Sequence, residues 1–355
     1  MQLRSLNAIY MGTLWRRLFA SVLLAAPITL AQSQDRDTLD IFVLDTEGGE
    51  AVLYIAPTGE AMLFDTGREE NFNRILALVQ QEEVRVLDYV IVSHYHGDHV
   101  GNAANLPRLP IRNIRQFLDH GPYTTELQPS QRALFERYLA VRNMAKARRA
   151  VPGEKLSFGG VDVHVVASSG ERISEPLPGA GEPNPMCSSH VPKTDIRAVE
   201  NDEVVSIVVR YGEFGFLELG DMIWNHEQRL VCPNNLLGTV DVYHTSGHGA
   251  HWGSNPVMVH AVRPRVAVMN NAAVKGGDTV TFETLRSSPN LQDIWQAHFS
   301  TENATARDNS PEDFIANLDG SPGHVGHYIK VSARPDGSFT VMNSRNGFSK
   351  DYPAN

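Results

Sequence analysis

Three features are scarce in this sequence of 355 residues: cysteine, positive charge and long apolar runs. The only two cysteines lack the spacing of a zinc site, which excludes a cysteine-rich metal module. A formal net charge of −10 provides no strong nucleic-acid footprint, because such binding normally requires a basic face. Beyond the N-terminal segment no run approaches the roughly 20 apolar residues that span a bilayer, so we expect no stable membrane anchor.

The N-terminal segment predicts export. Arg16 and Arg17 precede an apolar run from Leu18 to Leu24, and small residues then lead into a polar stretch, as in a cleaved signal peptide. Pro27 interrupts the apolar stretch, which disfavours a retained anchor. We therefore expect residues 1–31 to be a signal peptide and the mature protein to be periplasmic or extracellular.

The mature chain is predicted to be a single domain, residues 35–355. Its composition, 42% hydrophobic and 20% charged, is that of an ordinary globular protein with a large core. No repeat of fixed period and no linker divides it. Oligomeric state is not predicted from these features.

Cys187 and Cys232 are expected to form a disulfide. An exported protein folds in an oxidising compartment, where a pair of cysteines tends to close. Two separate buried thiols are the alternative, because spacing in the sequence says nothing about the separation of the Cα atoms.

Short apolar runs separated by turn residues predict a chain rich in strands, with few helices. Phe72, Ile75, Leu76 and Val79 share one face of a predicted helix. The expected strands are 39–44, 51–55, 61–64, 86–92, 204–211, 214–219, 240–243 and 266–269, with a hairpin formed by 328–333 and 338–343; the expected helices are 71–81 and 131–149, and 168–194 is expected to be a long loop.

One short run concentrates the chemistry. Ser93-His94-Tyr95-His96-Gly97-Asp98-His99 follows a predicted buried strand and holds three imidazoles and one carboxylate. Imidazole nitrogen suits zinc and related transition metals, and the carboxylate can bind a second ion or orient a water molecule. His94 and His96 can converge on one ion if the loop turns at Gly97, which leaves Asp98 and His99 for an adjacent ion. A purely structural role is the alternative, although it suits a lone histidine better than this cluster.

This run resembles the H-x-H-x-D-H hallmark of the metallo-β-lactamase superfamily. The resemblance implies an α/β (α+β) fold, an αββα sandwich of two mixed β-sheets flanked by helices, with a metal site built from loops of both halves. It also implies a hydrolase that uses one or two zinc ions, other divalent transition metals remaining open.

Further residues are assigned by the same resemblance. Asp65, in Phe64-Asp65-Thr66-Gly67, matches an acidic turn that supports the metal loop by hydrogen bonding. Asp221 follows a strand in the Gly-Asp arrangement that bridges two ions, although its residue type also suits a helix cap. His248 resembles the last histidine of a His-His-Gly motif in the branch that contains the hydrolase domain of competence-type DNA-uptake proteins. Gly247 stands in place of the first histidine of that motif, and His244 and His251 are nearby alternatives.

The sequence departs from the family at one ligand. The usual third histidine, in a Pro-Gly-His turn, is absent. His190 lies in the right interval, and Asn201 begins a segment that loosely matches the Asn-x-x-Ser of the DNA-uptake branch. Both are kept as candidates.

The expected chemistry is attack by a metal-activated water on a carbonyl or phosphoryl centre. Asp98 would orient the water, and His248 and Asp221 would complete the second site. The substrate is expected to be a small molecule or a phosphoester, with phosphodiesters favoured by the DNA-uptake resemblance and a lactam or lactone as the other choice. A non-catalytic binding module and an iron-containing redox or sulfur-handling member are the competing hypotheses. The remaining histidines are treated as structural: His120, His164, His226, His260, His298, His324 and His327.

Overall fold

The computed structural model describes residues 36–123, 129–194, 196, 199–321 and 325–355. The predicted signal peptide, residues 1–31, and His324 lie outside the described residues. The described residues form one compact unit. Among the described residues, no helix has both the length and the apolar character needed to cross a membrane.

Strands that are rich in β-branched and aromatic residues make up most of the regular structure. They are β1 (Leu39–Leu44), β2 (Val52–Ile55), β3 (Ala61–Phe64), β4 (Val86–Ile91), β5 (Asn113–Asp119), β6 (Lys146–Arg149), β7 (Lys155–Phe158), β8 (Val161–Ser168), β9 (Glu171–Arg172), β10 (Ser206–Tyr211), β11 (Phe214–Glu218), β12 (Val242–His244), β13 (Val266–Met269), β14 (Asp293–His298), β15 (Ile315–Asn317), β16 (Tyr328–Ala333), β17 (Phe339–Asn343) and β18 (Ser349–Tyr352).

The first sheet has the order β18-β17-β16-β1-β2-β3-β4-β5-β6. Its strands are antiparallel from β18 to β3 and parallel from β3 to β6. Every residue of β1, β2 and β3 is buried, as expected for strands that are covered on both faces.

The second sheet has the order β15-β14-β13-β12-β11-β10-β8-β7, with β9 paired to β8. Here β7, β8, β10 and β11 are antiparallel, and β11 to β15 are parallel. Both sheets are therefore mixed, and each repeats the change from antiparallel to parallel pairing.

Six α-helices occur among the described residues, and they cover the outer faces of the sheets: α1 (Phe72–Gln81), α2 (Gly97–Val100), α3 (Pro129–Arg142), α4 (Trp224–Val231), α5 (Pro256–Val262) and α6 (Thr279–Ser287). One apolar cluster lies between the sheets, a second joins the first sheet to α1 and α3, and a third joins the second sheet to α4, α5 and α6. The four layers form the αββα sandwich of the metallo-β-lactamase fold, as predicted from the sequence.

The predicted helix 131–149 is wrong in its last part. Helix α3 ends at Arg142, whose guanidinium forms an ion pair with Asp119 at the end of β5. Residues Lys146–Arg149 form β6, which pairs in parallel with β5 at the edge of the first sheet. Three of these four residues are basic, which suits an edge strand, because charged side chains protect an exposed edge from pairing with other chains.

Parallel strands of both sheets end close to one another in this fold. Asp65 follows β3, the His94–His99 run follows β4, Asp221 follows β11, and His248 follows β12. Loops at the carboxyl ends of parallel strands are held by a rigid scaffold, which is why ligands commonly bind there.

The two cysteines form a disulfide. Cys187 lies in the 3-10 helix Pro185–Ser189 and Cys232 directly follows α4, with their Cα atoms 5.7 Å apart and their sulfur atoms bonded. The bond attaches the long 168–194 segment to the outer face of the second sheet.

Replacing both cysteines by serine is expected to lower the free energy of unfolding by roughly 2–4 kcal/mol, because the bond closes a loop of 45 residues in the unfolded chain. Urea unfolding of the parent and the Cys187→Ser/Cys232→Ser variant would measure this difference. Equal midpoints and slopes would show that the bond does not constrain the unfolded chain.

Candidate metal centre

The His94–His99 run is shaped by a sharp change from strand to helix. β4 ends at Ile91, and the short helix α2 begins at Gly97. His94 and His96 lie before the helix, with Nε2 of His94 2.9 Å from Nδ1 of His96. Asp98 and His99 lie in its first turn, so the loop separates the predicted ligands into two pairs.

Asp221 lies between these two pairs. Its Oδ2 is 3.8 Å from Nε2 of His94, and its Oδ1 is 3.4 Å from Nε2 of His99. His248 approaches from the other sheet, with Nε2 3.1 Å from Oδ1 of Asp221 and 3.3 Å from Nε2 of His99. Asp98 Oδ2 lies 3.5 Å from the same His248 nitrogen. Six predicted ligands from three loops therefore converge, those that follow β4, β11 and β12.

Asp65 supports this arrangement from behind. Its Oδ2 lies 2.7 Å from Nδ1 of His99, and its Oδ1 accepts a hydrogen bond of 2.7 Å from the backbone N–H of Ser93. The Ser93 hydroxyl also donates to Asp65 and lies 3.0 Å from Nδ1 of His94. The carboxylate fixes the ring of His99 so that Nε2 faces the centre, which is how outer carboxylates orient metal-binding histidines.

The donor set fits a divalent transition metal. His94, His99 and His248 are completely buried, and their Nε2 atoms face other acceptors. Oδ1 of Asp221 and Oδ1 of Asn201 are buried without a hydrogen-bond donor. Buried nitrogen and oxygen acceptors that face one another are costly unless a proton or a cation lies between them. Two of the groups of converging ligand atoms among the described residues contain only the predicted ligands: His94, His96 and Asp221 form one, and Asp98, His99 and His248 form the other.

Residues 45–171 match the metallo-beta-lactamase superfamily model. This stretch contains Asp65 and the whole His94–His99 run, and the match supports the superfamily resemblance. A search of curated proteins found no match. No comparison distinguishes the DNA-uptake branch, so that part of the assignment stays a prediction.

Several solved structures are similar to this chain. The metallo-beta-lactamase fold protein YhfI from Bacillus subtilis is 13% identical, with 73% of this chain and 96% of that chain covered and a TM-score of 0.43. A diphosphatase of the PhnP family is 14% identical, with 73% and 94% covered and a TM-score of 0.39. CmlA, a diiron beta-hydroxylase from Streptomyces venezuelae, is 14% identical, with 67% and 45% covered and a TM-score of 0.37. The fold assignment itself rests on the sheet topology and layers described above.

Burial and neighbouring charges shift the pKa values of His94 and His99 in opposite directions. Burial lowers the pKa of His94, and the adjacent His99 and His96 lower it further. Burial opposes the charged form of His99 as well, but the carboxylates of Asp221, Asp65 and Asp98 raise its pKa well above the ordinary value. In the metal-free chain His99 therefore carries the proton that compensates the surrounding carboxylates, and His94 is neutral and able to act as a ligand.

Of the four further candidates, only Asn201 joins the cluster; Nδ1 of His251 lies 2.8 Å from Oδ2 of Asp278 instead. Nδ2 of Asn201 donates to Oδ2 of Asp221 at 3.4 Å. His190 is half-buried, lies 3.1 Å from the side-chain nitrogen of Asn255, and joins none of the groups of converging ligand atoms among the described residues. His244 is buried but faces Glu218, with Nδ1 2.6 Å from the carboxylate. Its imidazole belongs to a separate group behind the centre.

Gly247 suits its position for a steric reason. Residue 247 has a φ of 58°, and a Cβ there would lie 2.4 Å from the ring of Trp252. The indole occupies the space that a side chain at this position would need. The next residue, His248, also has a φ of 58°, a conformation that is rare for a non-glycine residue and that tends to occur at functional sites.

Sequence reasoning missed a second buried group. Glu50, Glu218 and His244 lie together between the sheets, with at most 1% of each residue exposed. Asn270 donates to Glu50 at 3.3 Å, and the Tyr54 hydroxyl donates to Glu218 at 3.4 Å. A single glutamate in the apolar run of β11 was the available signal, because an isolated carboxylate in a buried strand needs partners.

The contribution of Glu218 to the stability of the metal-free chain is expected to fall as pH rises, because burial raises the pKa of Glu218 to about 8. The folded chain keeps this proton where the unfolded chain has lost it, so the contribution is complete below about pH 4.5 and disappears as pH passes 8. Glu218→Gln should remove roughly 2–4 kcal/mol of this dependence. Urea unfolding of chelator-treated protein across this range would measure it.

The exposed Glu213 provides the matched control, since Glu213→Gln should leave the pH dependence of unfolding as it is in the parent. An unchanged slope in Glu218→Gln would show that the buried carboxyl titrates normally.

Proposed function

We propose that this chain is an exported metal-dependent hydrolase that binds zinc. The observation that supports the proposal most directly is the convergence of His94, His96, His99, His248 and Asp221 from both sheets, with Oδ1 of Asp221 and Nδ1 of His248 buried without a hydrogen-bond partner. In a purely structural network, buried polar atoms normally have hydrogen-bond partners, so these unpartnered atoms favour a bound cation.

Two sets of residues would hold the metal. His94, His96 and Asp221 form the first, and Asn201, whose amide contacts Asp221 and whose Oδ1 is buried without a partner, is the candidate for a further ligand there. Asp98, His99 and His248 form the second, with Asp221 close to both. When bound, zinc acidifies a coordinated water and polarises the carbonyl or phosphoryl group under attack.

The residues of the chain supply position and charge for this reaction. Asp65 fixes the tautomer and orientation of His99, and Ser93 links Asp65 to His94, so both pairs of imidazoles are held by one buried network. Asp98 is less buried than His94, His99 and His248, and its carboxylate is placed to accept a proton from an attacking water. Neither a nucleophilic serine nor a cysteine would be needed, because a metal-activated water would be the nucleophile. The two cysteines are bonded to each other.

Export is part of the proposal. It is supported by the sequence pattern of residues 1–31 and by the Cys187–Cys232 bond, which is typical of oxidising compartments. The mature protein is proposed to act in the periplasm or outside the cell on a small-molecule substrate, and a phosphoester is the first class to test.

The experiment is turnover of a chromogenic phosphodiester, a chromogenic lactam and an aryl lactone by metal-depleted protein before and after zinc is restored. We expect zinc-dependent hydrolysis of at least one class, lost in His96→Ala and retained in the control variant His164→Ala, whose imidazole lies on β8 outside every group of converging ligands among the described residues. Bound zinc without turnover of any class would favour a binding module instead.

A further inference from the structure

Lys275 reaches the metal centre from a segment that carried no recognisable motif. It lies between β13 and α6, and its ammonium donates to Oδ2 of Asp98 and, at 2.6 Å, to the carbonyl oxygen of Gly48. The side chain is 35% exposed, so its charged end lies at the mouth of the centre and is not sealed within it.

The position of this lysine is fixed by the loops around it. Residue 48 has a φ of 76°, and a Cβ there would lie 3.0 Å from Cδ of Lys275, so only a glycine lets the lysine chain lie flat on this turn. The backbone N–H of Ala272 donates to the Lys275 carbonyl at 2.8 Å, and that of Gly277 donates to the His248 carbonyl at 3.0 Å. The segment that carries Lys275 is therefore hydrogen-bonded to the loop that carries the candidate ligand His248.

The oxygen that Lys275 holds is the one that faces the second set of ligands. Oδ2 of Asp98 lies 3.5 Å from Nε2 of His248 and 3.8 Å from Nε2 of His99. A divalent cation bound by these three residues would share this oxygen with an ammonium. Two positive charges a few ångströms apart repel strongly where little water separates them.

The first set of ligands has no such competitor. Among the described residues, no lysine or arginine forms an ion pair with Asp221, whose partners are imidazoles and the Asn201 amide. The two halves of the centre therefore differ in charge although their ligand types are similar.

We propose that Lys275 makes the two metal positions unequal. The half formed by His94, His96 and Asp221 holds one ion tightly, and the half formed by Asp98, His99 and His248 takes a second ion only when the ammonium releases Asp98. This inference rests on the proposed metal centre and adds to it the residue that sets its stoichiometry.

Zinc titration of metal-depleted protein against a chromogenic chelator tests the inference, with cobalt(II) absorption as a second readout. In the parent, the second equivalent should bind at least about tenfold more weakly than the first. Lys275→Met should tighten the second equivalent by at least about tenfold and leave the first unchanged. Lys275→Arg, which keeps the charge, should behave like the parent.

The control is Lys155→Met, which removes a lysine from an exposed ion pair with Asp162 on β8 and should change neither equivalent. A second equivalent that is equally weak or weaker in Lys275→Met would overturn the inference, since Lys275 would then be neutral toward the ion or would support Asp98. If neither the parent nor any variant bound zinc, the proposed metal centre itself would be wrong. Far-ultraviolet circular dichroism of each variant shows that the fold is retained.

Discussion

Asp221→Asn is expected to lose at least one equivalent of bound metal and to reduce hydrolysis by roughly 10²–10³-fold. One carboxylate lies within 3.8 Å of His94, 3.4 Å of His99 and 3.1 Å of His248, so it serves both halves of the centre. The asparagine keeps the shape but removes the charge and turns N–H groups toward buried imidazoles. Metal contributes several kcal/mol of charge stabilisation in such reactions, and each 1.36 kcal/mol corresponds to about tenfold in rate.

Elemental analysis and turnover of the restored enzyme would measure both effects. Asp202→Asn is the matched control, because Asp202 lies in the neighbouring 3-10 helix, is 42% exposed and pairs only weakly with His226 at 3.6 Å. Full metal content and parental turnover in Asp221→Asn would show that this carboxylate does not join the two halves.

The second large effect is expected from Asp65→Asn, a residue that would not touch the metal. The asparagine can keep one acceptor for the Ser93 N–H but weakens the bond to His99 Nδ1, so the ring loses its orientation. Outer partners of metal-binding histidines typically contribute about 10–100-fold to metal affinity. Zinc competition against a chelator should show a loss of this size.

Asp88 distinguishes this effect from a general loss of stability. It is also buried and accepts a backbone hydrogen bond, from Ala61 at 3.0 Å, but it lies on β4 with Arg115 as its partner. Asp88→Asn should lower the thermal midpoint without changing zinc affinity. If both variants lost zinc equally, Asp65 would be acting through the fold and not through His99.

The parts of the centre that the sequence predicted are those in which local spacing decides geometry. The His94–His99 run lies in six consecutive positions after a buried strand, so a turn at Gly97 is enough to divide its ligands. Asp221 and His248 could be found because each follows an apolar strand of the second sheet, and the ends of parallel strands meet at one edge.

The residues that were missed depend on contacts between distant segments. Lys275 and Asp98 form a hydrogen bond although 177 positions separate them in the sequence, and the Tyr54 hydroxyl and Glu218 do so across 164 positions. No spacing rule connects such pairs; only the packing of one sheet on the other brings them together. The error at residues 146–149 has a similar origin, since the pairing of β6 with β5 overrides a charge pattern that also suits a helix end.

The departures from the family pattern have local physical reasons. Trp252 fills the space at Gly247, and the amide of Asn201 lies beside Asp221. His190 remains at the outer end of the disulfide-bonded segment with Asn255. The candidate ligands are therefore imidazoles and carboxylates, with the amide of Asn201 and the ammonium of Lys275 beside them.

The most direct test of the central claim is the metal content of the purified mature protein, measured by elemental analysis beside His94→Ala. The account predicts at least one equivalent of a transition metal, expected to be zinc, in the parent and a clear loss in the variant. A parent that binds no transition metal, even after exposure to excess zinc, would contradict it.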